Sequence, residues 1–342
     1  MMPGPLPEVE LREAVGMVGD WSSLRGARLF ITGGTGFFGK WLLEVLGTAD
    51  RSFHLGVEAV VLSRDPARFL QAMPHLRDAP WLSFQQGDIT TFQVPDGAFS
   101  HLIHGAGSSD ARDYRRAPTA MRHALVEGAR HVMETLSKQA ALRVLFLSSG
   151  AVYGPQPSDL THLPEEYPLP MDTDEDAQAY AQGKREAERI VFEACTASSF
   201  PCPIARCFAF AGPHLPLDQH FAFGNFIRDA LAGGPIRVSG DGTPMRSYLY
   251  ASELAAWLWA LLLRGESMTY HVGSDQDVSI QALAVAIGQA AGVAVEVAHQ
   301  PKPGTGPLRY VPTVTRIPDR LGLRQTVELD EAIARTLRWH RG

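Results

Sequence analysis

The chain has 342 residues, 45% of them hydrophobic and 20% charged, with 32 glycines and 24 prolines spread through it. That is the composition of a globular protein large enough to bury a core without disulfide or metal staples, so disordered and fibrous classes are excluded. Lys and Arg number 31 against 37 Asp and Glu, a formal net charge of -6, so neither nucleic acid nor an anionic membrane surface is expected as a partner.

Residues 1–26 read as an N-terminal extension, a short helix and a linker. Their opening stretch, MMPGPLPEVELREAV, carries acids and prolines where a signal peptide would have a basic start and an apolar core. The longest purely apolar run, Leu254 to Leu263, is about half of what a bilayer crossing needs and reads as a buried helix. Cys195, Cys202 and Cys207 are odd in number and contain no CxxC pair. That pattern fits buried thiols in a reducing compartment, with no disulfide framework and no metal site. A cytoplasmic protein is expected.

Strand-like apolar runs at 27–32, 57–63, 101–106, 143–149 and 203–208 alternate with helical stretches at about 39–47, 66–73, 117–138 and 177–195. Short β-branched runs separated by helices are the signature of βαβ units, and right-handed crossovers then give an α/β fold with a doubly wound parallel sheet covered on both faces. After residue 208 the texture turns rich in Gly and Pro, with helices at about 221–232, 252–264, 278–291 and 328–339. This smaller portion is expected to close over the carboxyl ends of the strands, where ligands of such sheets sit.

Directly after the first strand comes Thr32-Gly33-Gly34-Thr35-Gly36-Phe37-Phe38-Gly39, followed by a helical segment. Glycine is needed where the chain turns tightly, where backbone approaches a pyrophosphate and where helix packs on strand, and the helix N-terminus offers N–H groups to phosphates. Gly33, Gly36, Phe37, Phe38 and Gly39 are therefore candidate dinucleotide-binding positions. At the end of the second strand stand Ser63, Arg64, Asp65 and Pro66. Ser63 and Arg64 favour the 2′-phosphate of NADP, with NAD as the alternative, while Asp65 and Pro66 suit a helix N-cap and first helical residue. Arg64 also reads as a solvated surface arginine. Asp88 and Ile89, in QQGDIT, are placed to meet the adenine, and Asp88 equally suits a turn cap.

Tyr180 and Lys184 are four residues apart on a helix, so phenol and ammonium share one face. A tyrosine ionises near pH ~10, and its use as a base at neutral pH requires a nearby cation. Upstream, the fourth strand ends in Ser148-Ser149-Gly150-Ala151, which puts hydroxyls at the carboxyl edge of the sheet.

TGGTGFFG, GDI, LSSGAVYG, YAQGK, RCFAFAGP and GDGTPMRSYLY occur in an order and spacing that resemble the extended short-chain dehydrogenase/reductase family, the NAD(P)-dependent nucleotide-sugar epimerases and dehydratases, over about residues 27–340. The resemblance implies an NAD(P)-binding Rossmann domain at 27–207, to which 245–275 returns, and a substrate-binding portion at 208–244 and 276–342. It implies that Tyr180 is the catalytic base and that Lys184 binds the nicotinamide ribose and depresses the tyrosine pKa. Ser149 then holds the reacting sugar oxygen. Arg246 matches an arginine on the substrate diphosphate, and Arg309 matches a second one less closely; an exposed arginine is its other reading. Asn225 would meet the diphosphate or bridging sugar, or simply start a helix.

Three departures from the family pattern stand out. Gly150 and Ala151 occupy the places of the Asp-Glu pair with which family dehydratases eliminate water, and neither can move a proton. Asp174, Glu175 and Asp176 would have to substitute from elsewhere, and they also read as the acidic first turn of the Tyr180 helix. Leu125 replaces an asparagine three residues before Gly128, and Gly183 replaces a small serine before the lysine. The expected function is that of an epimerase acting by transient oxidation at C4 of a nucleotide-diphosphate hexose. The alternatives are an NADP-dependent 4-ketoreductase or dehydrogenase, less readily a 4,6-dehydratase, and, from another class, a non-catalytic NADP sensor. The helices at 117–138 and 177–195 resemble the pair through which relatives form homodimers.

Overall fold

The structure, a computed structural model, describes residues 4–107, 116–136, 138, 142–171, 178–301 and 306–342. Asp174, Glu175 and Asp176 lie outside the described residues. In chain order the strands are β1 (Arg28–Thr32), β2 (Glu58–Ser63), β3 (Leu82–Gln86), β4 (His101–His104), β5 (Arg143–Ser149), β6 (Ile204–Cys207), β7 (Phe210–Ala211), β8 (Ile236–Val238), β9 (Met245–Ser247), β10 (Leu249–Tyr250), β11 (Thr269–Val272), β12 (Asp277–Ser279), β13 (Val295–Val297) and β14 (Arg309–Tyr310). The helices are α1 (Glu8–Val18), α2 (Phe37–Phe53), α3 (Pro66–Ala72), α4 (Pro118–Leu136), α5 (Ala179–Ala197), α6 (Ala222–Leu231), α7 (Ala251–Arg264), α8 (Ile280–Ala291), α9 (Arg316–Leu321) and α10 (Leu329–Arg341).

Seven strands form one sheet in the order β11-β6-β5-β4-β1-β2-β3, every neighbouring pair parallel. The chain winds outward from β1 to β3, then returns to lay β4 on the other side of β1, so the direction of winding reverses between β1 and β4. A crevice at the carboxyl ends of those two strands is what such a reversal produces. The doubly wound sheet expected from the alternation of runs is therefore present. Strand residues alternate between the two cores: Leu29 and Ile31 of β1 pack with α1, α2 and α7, whereas Phe30 faces the layer of α4 and α5.

The run from Leu254 to Leu263 lies in α7, every residue of it buried. Among the described residues no helix is long and apolar enough to cross a membrane. Residues 4–26 join the same layer: α1 buries Leu11, Ala14, Val15 and Val18, the Tyr250 hydroxyl donates to Glu10 Oε2 at 2.7 Å, and Arg335 pairs with Glu13 at 2.6 Å.

Beyond the carboxyl edge of the main sheet lies a three-stranded sheet, β12-β9-β14, in which Arg246 of β9 stands in register with Tyr310 of β14. A buried polar chain ties this portion down. Arg206 of β6 forms a two-armed ion pair with Glu188 of α5, at 3.1 and 2.8 Å, and donates to the Tyr153 hydroxyl at 2.8 Å. That hydroxyl bonds His271 Nε2 at 2.6 Å, and His271 Nδ1 meets Thr313 O at 2.9 Å. Glu165 completes the tie by accepting from the backbone N–H groups of His271 and Arg316, both at 2.9 Å. Buried charges are tolerated only when paired and hydrogen-bonded, as these are.

Candidate active site

The glycine loop shows why its residues are what they are. Gly33 has φ +77, and a Cβ there would strike Gly105 O; a Cβ on Gly39 would strike the backbone of Gly34. Both positions are thus closed to larger residues by the chain itself. Gly36 differs. It is exposed, has φ -80 and would meet nothing closer than 3.5 Å, so the chain's own packing does not demand glycine there. It caps α2, whose first turn has neither a side-chain cap nor an acidic residue, and a helix N-terminus of that kind favours an anion. Phe37 packs on Phe38 at 5.6 Å, and Phe38 meets Phe210 edge-on at 5.0 Å. Thr32 Oγ1 joins β1 to the end of β4, bonding His104 Nδ1 at 2.7 Å and accepting from the N–H groups of Gly105 and Ala106 at 3.2 Å. Gly33 and Gly36 after β1 and Gly105 and Gly107 after β4 thus lie at neighbouring strand ends, beside the N-terminus of α2.

At the end of β2, Ser63 is buried and its hydroxyl accepts from Asp65 N at 3.2 Å. Asp65 caps α3, accepting from Arg68 N at 3.0 Å, and Pro66 follows it as the first helical residue. Arg64 is exposed. Asp88 folds back on Thr90, accepting from its N–H at 3.0 Å and its hydroxyl at 2.7 Å; these bonds hold its carboxyl below the usual range, with Arg64 adding to the effect. Ile89 packs on Gly128, where a Cβ would come within 2.9 Å of it.

Ser149 ends β5, and its hydroxyl accepts from Ala151 N at 3.2 Å. Beside it Ser148 Oγ is buried with no hydrogen-bond partner among the described residues. Tyr180 stands in the first turn of α5, half-buried. One turn on, Lys184 is buried, donates to Leu147 O at 2.8 Å and has its Nζ 5.3 Å from the centre of the Phe146 ring. Burial lowers its pKa to about 8, with Cys207 and Glu188 opposing the shift. The Cys207 thiol is pushed up to about 12 by burial, which leaves it an inert neighbour.

Two departures from the family pattern turn out to be halves of one packing solution. Leu125 of α4 reaches across to α5, where a Cβ on Gly183 would come within 3.0 Å of its Cδ1, and to Gly107, where a Cβ would come within 2.7 Å of its Cδ2. Gly183 is therefore not a mere loss of helix propensity: the larger residue at 125 fills the gap that the two glycines leave.

Arg246 donates to Met245 O at 2.7 Å, and its guanidinium lies 6.0 Å from the centre of the Tyr310 ring. Arg309, on the same small sheet, spends its guanidinium on Asp277 at 2.9 Å. Asn225 is the fourth residue of α6, and its Oδ1 accepts from Arg228 at 3.2 Å. Sequence reasoning missed Tyr310 and Phe208. A Cβ on Gly150 would lie 2.7 Å from the Phe208 ring and 2.8 Å from Tyr310 Oη, so these two side chains take the space of the absent side chain. The bareness of Gly150 was the available signal, but nothing in the sequence says what fills it. Gly105 and Gly107, after β4, were also missed, though a Gly-Ala-Gly run at a strand end marks close approach. Among the described residues no cluster of three or more His, Cys, Asp or Glu side chains is arranged to hold a metal ion.

A model of the NAD dependent epimerase/dehydratase family matches residues 29–273. UDP-glucuronic acid decarboxylase 1 of Xenopus tropicalis is 25% identical over 317 residues, covering 92% of this chain and 72% of the relative. UDP-glucuronic acid decarboxylase 5 of Arabidopsis thaliana is 24% identical, covering 90% and 87%. Among solved structures, a dTDP-glucose 4,6-dehydratase from Streptomyces venezuelae with NAD bound superposes with a TM-score of 0.76 at 23% identity, covering 92% of this chain and 97% of that one. A UDP-glucose 4-epimerase from Thermotoga maritima with UDP-glucose superposes at 0.75 and 17% identity, covering 92% and 98%. These superpositions speak for the fold. The matched segment spans most of the chain and contains the glycine loop, Ser149, Tyr180 and Lys184: this protein belongs to the NAD dependent epimerase/dehydratase family of extended short-chain dehydrogenase/reductases.

Proposed function

We propose that the protein is an epimerase that transiently oxidises C4 of a nucleotide-diphosphate hexose. The observation that carries this reading is local. Ser149 ends β5, Tyr180 opens α5 one turn before buried Lys184, and positions 150 and 151 offer no group able to move a second proton. In this reading Tyr180 removes the C4 hydroxyl proton and Ser149 holds the C4 oxygen. Lys184 stabilises the phenolate and holds the ribose of the cofactor. The glycine loop and the first turn of α2 cradle the pyrophosphate, and Arg246 meets the substrate diphosphate. A bound nicotinamide supplies the hydride acceptor and donor. Exposed Arg64 supports NADP over NAD. Three buried, unpaired cysteines support a reducing, cytoplasmic compartment, and the α4–α5 pair is the proposed homodimer surface.

A second reading has its own support. The relatives at 24–25% identity are named UDP-glucuronic acid decarboxylases. A uronic acid oxidised at C4 is a β-keto acid, which loses carbon dioxide without a dedicated acid–base pair, so Gly150 and Ala151 suit it as well. A 4-ketoreductase fits if the cofactor exchanges during turnover.

The test is to incubate the protein with UDP- and dTDP-hexoses and with UDP-glucuronic acid, with and without NADPH, and to identify products by mass and NMR. A C4 epimer without net cofactor consumption is expected. Carbon dioxide and a pentose would favour the second reading, stoichiometric NADPH oxidation the reductase, and tight NADP binding without any turnover the sensor. Tyr180→Phe should lower turnover by about 10²–10⁴-fold while sparing cofactor binding; retained activity would refute the role assigned to Tyr180.

A further inference from the structure

Tyr310 takes part in no motif, yet its phenol reaches the centre of the site. The backbone delivers it there. β14 pairs with β9, Val311 N donates to Gln156 Oε1 at 3.0 Å, Leu163 N donates to Val311 O at 2.8 Å, and Thr313 N donates to Leu163 O at 2.7 Å. The residues after Tyr310 are thus bound to the segment that follows Ser149 in the chain, while Arg309 and Tyr310 themselves pair with β9. The ring is fixed as well, 4.8 Å from the Phe208 ring at an interplanar angle of 37° and beneath the Arg246 guanidinium. Its hydroxyl ends 2.8 Å from where a Gly150 Cβ would stand, beside the Ser149 side chain. Burial raises its pKa, the Ser149 hydroxyl opposing and the field of Tyr180 adding, so the phenol stays protonated near neutral pH.

We propose that Tyr310 is a positioning residue for the C4 reaction: its hydroxyl fixes the Ser149 hydroxyl toward the reacting sugar oxygen and fills the place that a proton-moving side chain at position 150 would need. This rests on the C4 reading above. A serine hydroxyl has three staggered orientations of similar energy, and a buried neutral partner on one side selects among them. An ionised partner would instead draw the serine proton away from the substrate. The crowding also makes Gly150 a requirement, since any Cβ there displaces the phenol.

The experiment is a double-mutant cycle on the holoenzyme, comparing Tyr310→Phe, Ser149→Ala and the double variant by kcat, KM, cofactor affinity and melting temperature. Tyr310→Phe is expected to lower kcat by about tenfold, the size of one lost hydrogen bond, with KM, cofactor affinity and melting temperature unchanged. In the double variant the loss should equal that of Ser149→Ala alone, since a residue acting through another adds nothing once the other is gone. Gly150→Ala should reproduce the Tyr310→Phe loss. Additive losses, or a Tyr310→Phe variant with wild-type kcat, overturn the proposal while leaving the C4 reading intact. A wild-type chain that turns over no nucleotide sugar overturns both.

Discussion

Arg64 leaves the end of β2 exposed, while Ser63 beside it is buried and Asp65 is committed to capping α3. In the NADP reading proposed above, Arg64 is the group that meets the 2′-phosphate, Asp65 being committed to its cap. Arg64→Ser should weaken NADP binding by about 10–100-fold, in line with the loss of a charge-assisted bond, and leave NAD binding nearly unchanged. Fluorescence titration with both cofactors reads this directly, and an unchanged NADP to NAD ratio would assign the preference elsewhere. At this scale the sequence was most legible where a residue is required by the chain itself. Gly33 and Gly39 could be singled out because steric exclusion acts on close neighbours in sequence or strand. Tyr310 could not, because its partners Ser149, Phe208 and Arg246 come to it only through tertiary structure.

Among the elements, α5 has two duties. One stripe carries Tyr180 and Lys184, and a turn further along it Glu188 is buried against Arg206 of β6, both side chains 7% exposed. Removing one partner of a buried ion pair strands the other, so Glu188→Ala should cost about 3–5 kcal/mol, read as a lower urea midpoint. Replacing the pair with Glu188→Leu and Arg206→Met together should recover much of that loss, whereas an equal deficit in both variants would show that the charges themselves are needed. The strands with β-branched, apolar runs were readable from periodicity. β3 was not in that set: Leu82–Gln86 is an edge strand, bonded on one side only to β2, with two of its five residues exposed and none fully buried. The helices at 117–138 and 177–195 were foreseen as a pair, but their interlock through Leu125 and Gly183 depends on which faces meet, which spacing alone does not give.

The whole molecule holds several imidazoles that resist protonation. Burial lowers the pKa of His104, His214 and His271 to about 3 and that of His101 to about 4, from an ordinary 6.5; the charges of Lys184, Lys40, Arg206 and Arg143 respectively work in the same direction. In the unfolded chain these groups take up protons below pH 6.5, and in the folded chain they do not until about pH 3–4, so stability falls as pH drops through that window. Glu10 and Glu253, raised by burial, oppose the trend in part. Each group weighs about 1.4 kcal/mol per pH unit, and two units below 6.5 would cost on the order of 10 kcal/mol, comparable to the stability of a typical domain. Thermal melts from pH 7.5 to 4.5 should show a steep decline below pH 6.5; a flat profile would mean that the imidazoles reach solvent.

The earliest helix of this chain is also among the last to be completed. Glu10 meets Tyr250, Glu13 meets Arg335 at a separation of 322 positions, and Pro5 O accepts from the Trp339 indole. During synthesis at about 5–20 residues per second, α1 emerges many seconds before its partners exist, and its apolar stripe must wait beside a half-built nucleotide-binding layer. A ribosome-bound chain halted before α7, at residue 251, would therefore expose that stripe to chaperones, and release of the remaining residues would cover it and then latch it through Arg335 and Trp339.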